Sequence, residues 1–134
     1  AVILNIKLKY LDDYSSTRRI MATNYNEAFN DIEKIQTPKL QTNSTHVYHQ
    51  YTLKVLNGKR DELKDYLQNK GIPTMIYYPI PLYKQEAFSK YVDDGYYLKN
   101  TEELSENVLS LPIHTEIENS HQDYIIDEVI NFFK

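Results

Sequence analysis

The sequence predicts an α+β fold in which a small, mostly antiparallel sheet is covered by helices on one face. Three observations predict it. Apolar residues recur every three or four positions near the start of the chain, as in an amphipathic helix, and they alternate with polar residues over 47–55, as in a half-buried strand. The elements then follow in the order helix, strand, strand, helix, strand and helices, which suits two packed layers.

Residues 1–31 are predicted to form one long amphipathic helix. Its apolar stripe consists of Leu4, Leu8, Leu11, Tyr14, Met21, Tyr25 and Phe29. The next segment, 35–40, is a short strand that Pro38 restricts to a sheet edge, because proline cannot donate to a neighbouring strand. The alternating strand over 47–55 follows, and the turn-forming pair Asn57 and Gly58 ends it.

The middle of the chain is predicted to run helix, strand and short helix. Residues 61–70 form a helix that ends at Gly71, since glycine tolerates the left-handed conformation found after many helices. A strand then runs to Tyr78 and stops at two prolines. Residues 83–91 form a short helix, and the chain breaks at Asp93, Asp94 and Gly95.

Two helices are predicted to complete the fold. The first is capped by Asn100 or Thr101 and closes at Pro112, and it buries Leu104, Val108 and Leu111. The second starts at a capping box formed by Ser120 and Asp123. Its apolar side carries Ile126, Val129, Ile130 and Phe133.

Composition excludes several classes of protein. A chain of 134 residues is the size of one domain, and without cysteine it has neither disulfides nor thiolate metal sites. The net charge of -4, with interspersed signs, provides no basic face for nucleic acid or for a membrane surface, and no apolar run is long enough to span a membrane. We therefore expect a cytoplasmic protein.

The histidines do not predict a metal site. On a strand, His46 and His49 would lie on opposite faces, so they would not ligate one metal ion. His49 is expected to be hydrogen-bonded and partly buried. We predict no metal and no complete active site within this chain.

The segment 71–88 carries the predicted binding site. Tyr77 and Tyr78 stand where its strand stops, and a phenol can stack on a base or sugar ring while its O–H reaches a phosphate or hydroxyl. Because neighbouring strand residues point to opposite faces, at most one of the two is expected in the core. The alternative is that both tyrosines only anchor the sheet to a helix.

Tyr83 and Gln85 are the second part of this predicted site. They lie at the start of the short helix, where exposed N–H groups attract anions such as a diphosphate. The alternative is an ordinary helix start with a solvent-facing tyrosine.

The same segment resembles a known family. The pattern G-I-P-T-x-I-x-Y-P-x-P-L-x-x-Q-x-A-F is similar to the C-terminal domain of the DegT/DnrJ/StrS-type nucleotide-sugar aminotransferases. H-V-Y-H-Q-Y at 46–51 and L-S-L-P-I-H at 109–114 resemble other segments of that domain, and residues 1–11 resemble the helix that leads into it. The resemblance covers essentially the whole chain.

The resemblance implies the small C-terminal domain of a fold-type I aminotransferase. Residues 1–31 would link it to a large domain upstream, and 32–134 would form the small domain. The apolar, uncapped start at Ala1 agrees with a protein that continues upstream. The lysine that forms the aldimine with pyridoxal phosphate would also precede Ala1, so no catalytic residue is expected here.

The activity that the resemblance implies is transfer of an amino group from glutamate to a nucleotide-linked keto-sugar. Within the family, the pattern P-T-x-I-Y-Y-P-x-P-L resembles most the pattern of enzymes acting at C3 of a UDP- or dTDP-hexose. The resemblance further implies a homodimer that serves cell-surface polysaccharide or lipopolysaccharide biosynthesis. Tyr77, Tyr78, Tyr83 and Gln85 would contact the nucleotide-sugar. Relatives often carry histidine at the first and third of these positions, so a role that needs an imidazole is not expected.

Two alternatives stay open. The domain could be a non-catalytic dimerisation or regulatory module of the same fold, or part of a pyridoxal-phosphate-dependent sugar dehydratase or epimerase. The residue at the lysine position, upstream of Ala1, would separate these cases.

Overall fold

A computed structural model describes residues 2–93 and 95–134 of the chain. Its α-helices are α1 (Val2–Leu8), α2 (Leu11–Phe29), α3 (Arg60–Asn69), α4 (Lys99–Asn107) and α5 (Asn119–Phe133). The strands are β1 (Ile35–Gln36), β2 (Tyr51–Val55) and β3 (Val108–Leu111). Two short 3-10 helices, Leu82–Lys84 and Glu86–Tyr91, lie between α3 and α4.

The three strands form one antiparallel sheet in the order β1-β2-β3, which confirms the predicted fold class and the edge position of the first strand. The first strand is shorter than the predicted 35–40, because it ends at Gln36, before Pro38. In the register of the central strand, Leu53 lies opposite Leu109 and Thr52 lies opposite Ser110. Leucine side chains therefore cover one face of the sheet, and hydroxyl groups lie on the other.

The core lies between the leucine face of the sheet and helices α2, α3 and α5. Tyr51, Leu53 and Val55 of β2 are fully buried against it. The helices contribute Tyr25, Phe29, Leu63, Leu67, Ile125 and Val129. Helix α4 contacts β2 on the opposite face, where its Glu103 pairs with Lys54, so the prediction that helices cover only one face is wrong.

The predicted single helix over 1–31 is wrong in its continuity. A tight turn at Lys9 and Tyr10 separates α1 from α2: Tyr10 donates to the Lys7 carbonyl at 3.0 Å, three residues back. The predicted apolar stripe is likewise split into a buried part in α2 and an exposed part in α1. Met21, Tyr25 and Phe29 are buried as predicted, whereas α1 is exposed along its length. Ala1, at the predicted start, lies outside the described residues.

The predicted strand over 47–55 is right only for its second half. Tyr48 has a left-handed backbone, with φ of 46°, and its N–H donates to His46 Nδ1 at 2.9 Å. This local turn keeps residues 47–50 out of the sheet. His46 and His49 therefore do not lie on one strand, and His49 is exposed rather than partly buried.

The turn and helix predictions around α3 are confirmed. Asn57 and Gly58 have φ of 62° and 69°, so both central residues of this turn are left-handed. At the other end of α3, Gly71 has φ of 76°, and its N–H and that of Ile72 donate to the carbonyls of Gln68 and Leu67. This is the Schellman arrangement that a glycine stop permits.

Residues 72–78 and 108–111 both differ from their predicted secondary structure. The predicted strand to Tyr78 forms only one β-bridge, between Met75 and Ser110, and the predicted helix through Leu111 ends at Asn107. The residues after it form β3 instead, because β2 needs a partner for its second edge. Leu104, predicted to be buried, is exposed.

Two smaller predictions at helix ends are also wrong. The helix predicted over 83–91 is a 3-10 helix of three residues followed by one of six. Helix α5 begins after Glu118, without a side-chain cap, so Ser120 and Asp123 form no capping box. The apolar side of α5 is confirmed, since Val129 is buried and Ile126, Ile130 and Phe133 pack against the core. Asp94, in the predicted break, lies outside the described residues.

The exposed face of α1 predicts self-association of this chain. Leu4 and Leu8 of α1, with Leu11 at the start of α2, form what we call the α1 patch and are 70%, 66% and 49% exposed. Contiguous apolar surface of this kind favours association in water. We expect sedimentation equilibrium to show oligomers at micromolar concentrations.

The matched comparison uses Leu4→Asn with Leu8→Asn against Ile20→Asn, an equally exposed apolar residue of α2 outside the patch. Only the double variant is expected to be monomeric. A wild-type chain that stays monomeric up to millimolar concentrations would contradict the prediction.

Candidate functional site

A groove of about 640 Å³ opens on the hydroxyl face of the sheet, between residues 75–85 and helix α4. We call residues 75–85 the wall segment. The groove is lined by Gln50, Thr52, Met75, Tyr77, Tyr78, Ile80, Pro81, Leu82, Gln85, Thr101, Leu104, Ser105, Val108 and Ser110. Its surface is apolar and aromatic with scattered neutral hydrogen-bonding groups, as in many small-molecule sites.

The floor of the groove comes from the two paired strands. Thr52 of β2 and Ser110 of β3 lie opposite each other, and their hydroxyl oxygens are 2.8 Å apart. Leu53 and Leu109, their neighbours, point the other way into the core. The alternation of the strands thus places a hydroxyl pair under the groove.

Tyr77 and Tyr78 both lie on the wall of the groove. The prediction that they occupy opposite faces of a strand is wrong, because the wall segment leaves the sheet after Met75. Tyr77 is 48% exposed and Tyr78 is 80% exposed, so neither belongs to the core. Both rings are accessible for stacking on a ligand.

The structure separates Gln85 from Tyr83. Gln85 is exposed and lines the groove, with its side-chain amide 3.4 Å from the Ile80 carbonyl. The Tyr83 side chain is half-buried outside the groove, where its hydroxyl donates to Glu102 and its ring packs edge-on against Tyr96 at 5.3 Å. The regular helix start predicted to bind an anion at these residues is absent from the described part of the chain.

The charged side chains of Lys84 and Glu102 lie beside the groove and are not part of its lining. Lys84 Nζ lies 2.6 Å from Glu102 Oε2, and Tyr83 donates to the other oxygen of the same carboxylate. The hydrogen bonds from Lys84 and Tyr83 lower the pKa of Glu102. Burial and the hydrogen bond to Glu102 raise the pKa of Tyr83. At neutral pH the carboxylate is therefore ionised and both its oxygens are engaged.

A smaller cleft of about 180 Å³ adjoins the groove and shares Gln50, Met75, Tyr77 and Ser110 with it. His49 and Thr74 line only this cleft. The exposed imidazole of His49 thus lies near the groove, although the sequence predicted a partly buried structural role for it.

Sequence patterns missed the floor and the far wall of the groove. Thr52 and Ser105 lie outside the segments that resemble the family, and Ser110 lies within the L-S-L-P-I-H segment but was given no role in the site. The only available signal was the alternation of β2, which places Thr52 opposite the core face. Ser110 fell in a predicted helix, so its pairing with Thr52 could not be seen.

The described residues contain neither a metal site nor a helix that could span a membrane. No group of three or more histidine, aspartate or glutamate side chains in residues 2–93 and 95–134 is placed to hold a metal ion. None of the described helices combines the length and apolar character needed to cross a membrane.

Comparison with known proteins identifies the family. Residues 1–130 match the DegT/DnrJ/EryC1/StrS aminotransferase family. The chain belongs to this family. The resemblance seen in the segment 71–88 is thereby confirmed over almost the whole chain, and with it the predicted relationship to sugar aminotransferases.

Individual relatives agree with this assignment. The chain is 36% identical to the "Pleiotropic regulatory protein" of Geobacillus stearothermophilus, covering 100% of this chain and 36% of that protein. It is 33% identical to the dTDP-3-amino-3,6-dideoxy-alpha-D-galactopyranose transaminase of Aneurinibacillus thermoaerophilus, over 96% of this chain and 34% of that enzyme.

Among solved structures, the chain resembles S. venezuelae DesV in complex with a ketimine intermediate. The TM-score is 0.92 at 28% identity, with 98% of this chain and 35% of that one covered. The chain therefore spans about a third of the length of the relatives it matches.

Proposed function

We propose that this chain is the C-terminal small domain of a longer, pyridoxal-phosphate-dependent aminotransferase that transfers an amino group from glutamate to a nucleotide-linked keto-sugar. The observation that carries the proposal is the groove with its two exposed tyrosines, in a chain that belongs to a sugar aminotransferase family. C3 of a dTDP- or UDP-hexose is the proposed position. The name of the A. thermoaerophilus relative, a dTDP-3-amino-sugar transaminase, supports it.

The lining of the groove favours an uncharged part of the substrate. Tyr77 and Tyr78 offer faces for a sugar or base ring, and Gln85 with the Thr52–Ser110 pair offers hydrogen bonds. No lysine, arginine, aspartate or glutamate is among the described residues that line it. A diphosphate would therefore lie outside the groove.

The groove does not fit pyridoxal phosphate itself. That cofactor requires a lysine, donors for its phosphate and a partner for its ring nitrogen. The groove contains no lysine, and the Lys84 ammonium beside it is engaged by Glu102. We assign no chemical step to this chain, and we place the cofactor lysine upstream of Ala1. The share proposed for this chain is to hold and orient the sugar and to exclude water.

Further parts of the proposal concern the longer protein. We place the boundary between the linking segment, 1–31, and the small domain, 32–134, after residue 31. We propose a cytoplasmic homodimer that serves cell-surface polysaccharide or lipopolysaccharide biosynthesis.

The test compares the longer protein with this chain alone. After incubation with pyridoxal phosphate, the longer protein should show the visible absorbance of lysine-bound cofactor and should convert glutamate and a dTDP- or UDP-3-keto-hexose to the amino-sugar. The 134-residue chain should show neither. Borohydride trapping of cofactor on one specific lysine of this chain, together with turnover, would contradict the proposal.

A second candidate function is regulatory. It is favoured by the name of the G. stearothermophilus relative, a pleiotropic regulatory protein. On this hypothesis the longer protein would bind a nucleotide-sugar without turnover. A residue other than lysine at the cofactor position, with nucleotide-sugar binding retained, would favour regulation over catalysis.

A further inference from the structure

The wall segment is attached to the rest of the domain at its two ends. At its start, the Met75 N–H donates to the Ser110 carbonyl at 3.0 Å, and Ser110 returns a bond of 2.9 Å. Between these bonds and Pro81 the segment carries Tyr77 and Tyr78 and forms no strand or helix. The position of both rings therefore depends on what holds the far end.

Glu102 of α4 holds that far end. One carboxylate oxygen accepts a hydrogen bond from the Tyr83 hydroxyl, and the other lies 2.6 Å from Lys84 Nζ. Glu102 is only 7% exposed, so these partners replace the water that its charge would otherwise require. The Leu98 N–H also donates to the Tyr83 hydroxyl, at 3.4 Å, which connects the same cluster to the start of α4.

We propose that Glu102 is a positioning residue that fixes the wall segment, through Tyr83 and Lys84, in the conformation that presents Tyr77 and Tyr78 to the substrate. The proposal rests on the proposed function for its substrate, and on the contacts above for its mechanism. It gives Tyr83 an indirect role in place of the direct substrate contact predicted from sequence.

The neighbouring Glu103 provides a matched control. It lies on the same helix and also pairs with a lysine, but its partner is Lys54 of β2 and its side chain is 44% exposed. Glu103→Gln therefore removes an ion pair of α4 without touching the wall segment. Neither glutamate lines the groove.

Glutamine at position 102 should loosen the wall segment while keeping the size of the side chain. Its carbonyl oxygen can still accept from Tyr83, but its NH₂ group is a donor that faces the Lys84 ammonium, so that contact is lost. Glu102→Ala removes both contacts. Lys84→Met removes only the lysine.

Hydrogen exchange in the 134-residue chain tests, without any ligand, whether Glu102 holds the wall segment. The Lys84 and Gln85 N–H groups donate to the carbonyls of Pro81 and Leu82, so they report on the far end of the wall segment. We expect them to exchange about tenfold faster in Glu102→Gln and Lys84→Met, and at the wild-type rate in Glu103→Gln. The Leu53 amide in the central strand should not change. Equal exchange in Glu102→Gln and Glu103→Gln would overturn the proposal.

Kinetics of the longer protein test the positioning role. Glu102→Gln should raise KM for the keto-sugar about three- to thirtyfold and leave the half-reaction with glutamate unchanged. Lys84→Met should match it, and the double variant should be no worse, because both act through one contact. An equal loss in both half-reactions would overturn the role. If the wild-type protein does not transaminate a nucleotide-sugar, the proposed function fails, and the exchange experiment still decides whether Glu102 holds the wall segment.

Discussion

Replacing Leu53 by alanine is expected to lower the free energy of unfolding of this chain by about 2 to 5 kcal/mol. Leu53 lies in the central strand and is fully buried between α2, α3 and α5. Truncation loses the transfer free energy of its methyl groups and leaves a cavity that the surrounding helices cannot fill completely. Urea denaturation followed by circular dichroism would measure the change.

The adjacent residue provides the comparison. Thr52→Ala removes one hydroxyl from the groove face and breaks the 2.8 Å contact with Ser110, which should cost about 0.5 to 1.5 kcal/mol. The two variants differ by one position along the same strand. A larger loss for Thr52→Ala than for Leu53→Ala would mean that the register of β2, and with it the placement of the groove, is wrong.

Local chemistry explains which elements the sequence could predict. Gly71 and the pair Asn57 and Gly58 adopt the left-handed backbone that their residue types favour, and they mark the ends of α3 and β2 within one or two residues. The alternation of Tyr51, Leu53 and Val55 likewise identified the core face of the central strand. In each case the information lies within a few neighbouring residues.

Pairing between distant residues explains what the sequence could not predict. The spacing of Leu104, Val108 and Leu111 fits one face of a helix, yet β2 takes 108–111 as its partner strand. The outer edge of β3 pairs only with Met75, and the residues after it, which include Pro79 and Pro81, become the wall segment. The strand predicted to Tyr78 is therefore reduced to one bridge, on the strand that was predicted to be helical.

In the candidate site, too, features set by neighbouring residues could be predicted and contacts between distant residues could not. Tyr77, Tyr78 and Gln85 could be found because two prolines and an aromatic cluster mark the end of a segment. The partner of Tyr83 could not be found, because Glu102 lies on a helix 19 residues further along the chain. Direct substrate contact by Tyr77, Tyr78 and Gln85 stays a prediction, and for Tyr83 the indirect role through Glu102 is proposed in its place.

The last prediction tests that contact at Tyr77 and Tyr78. In the longer protein, at least one of Tyr77→Phe and Tyr78→Phe should lower kcat/KM for the keto-sugar half-reaction by about two- to tenfold. The reason is that one hydrogen bond to an uncharged sugar or base contributes about 0.5 to 1.5 kcal/mol. The glutamate half-reaction should stay near wild type, because the proposal assigns it to the upstream domain. Single-turnover measurements of each half-reaction would separate the two.

Tyr91→Phe is the matched control, because Tyr91 is 73% exposed and lies outside the groove. It should leave both half-reactions and Tm unchanged. Tyr77 and Tyr78 are themselves exposed, so their phenylalanine variants should also keep Tm within about one degree, below the shift of about 3 to 5 °C that accompanies 1 kcal/mol in a chain of 134 residues. Equal losses in both half-reactions would mean that the two tyrosines support the active site as a whole and do not bind the keto-sugar specifically. A drop in Tm of several degrees with unchanged kinetics would instead show that they support the fold, because an exposed phenol that binds only substrate contributes nothing to the stability of the free protein.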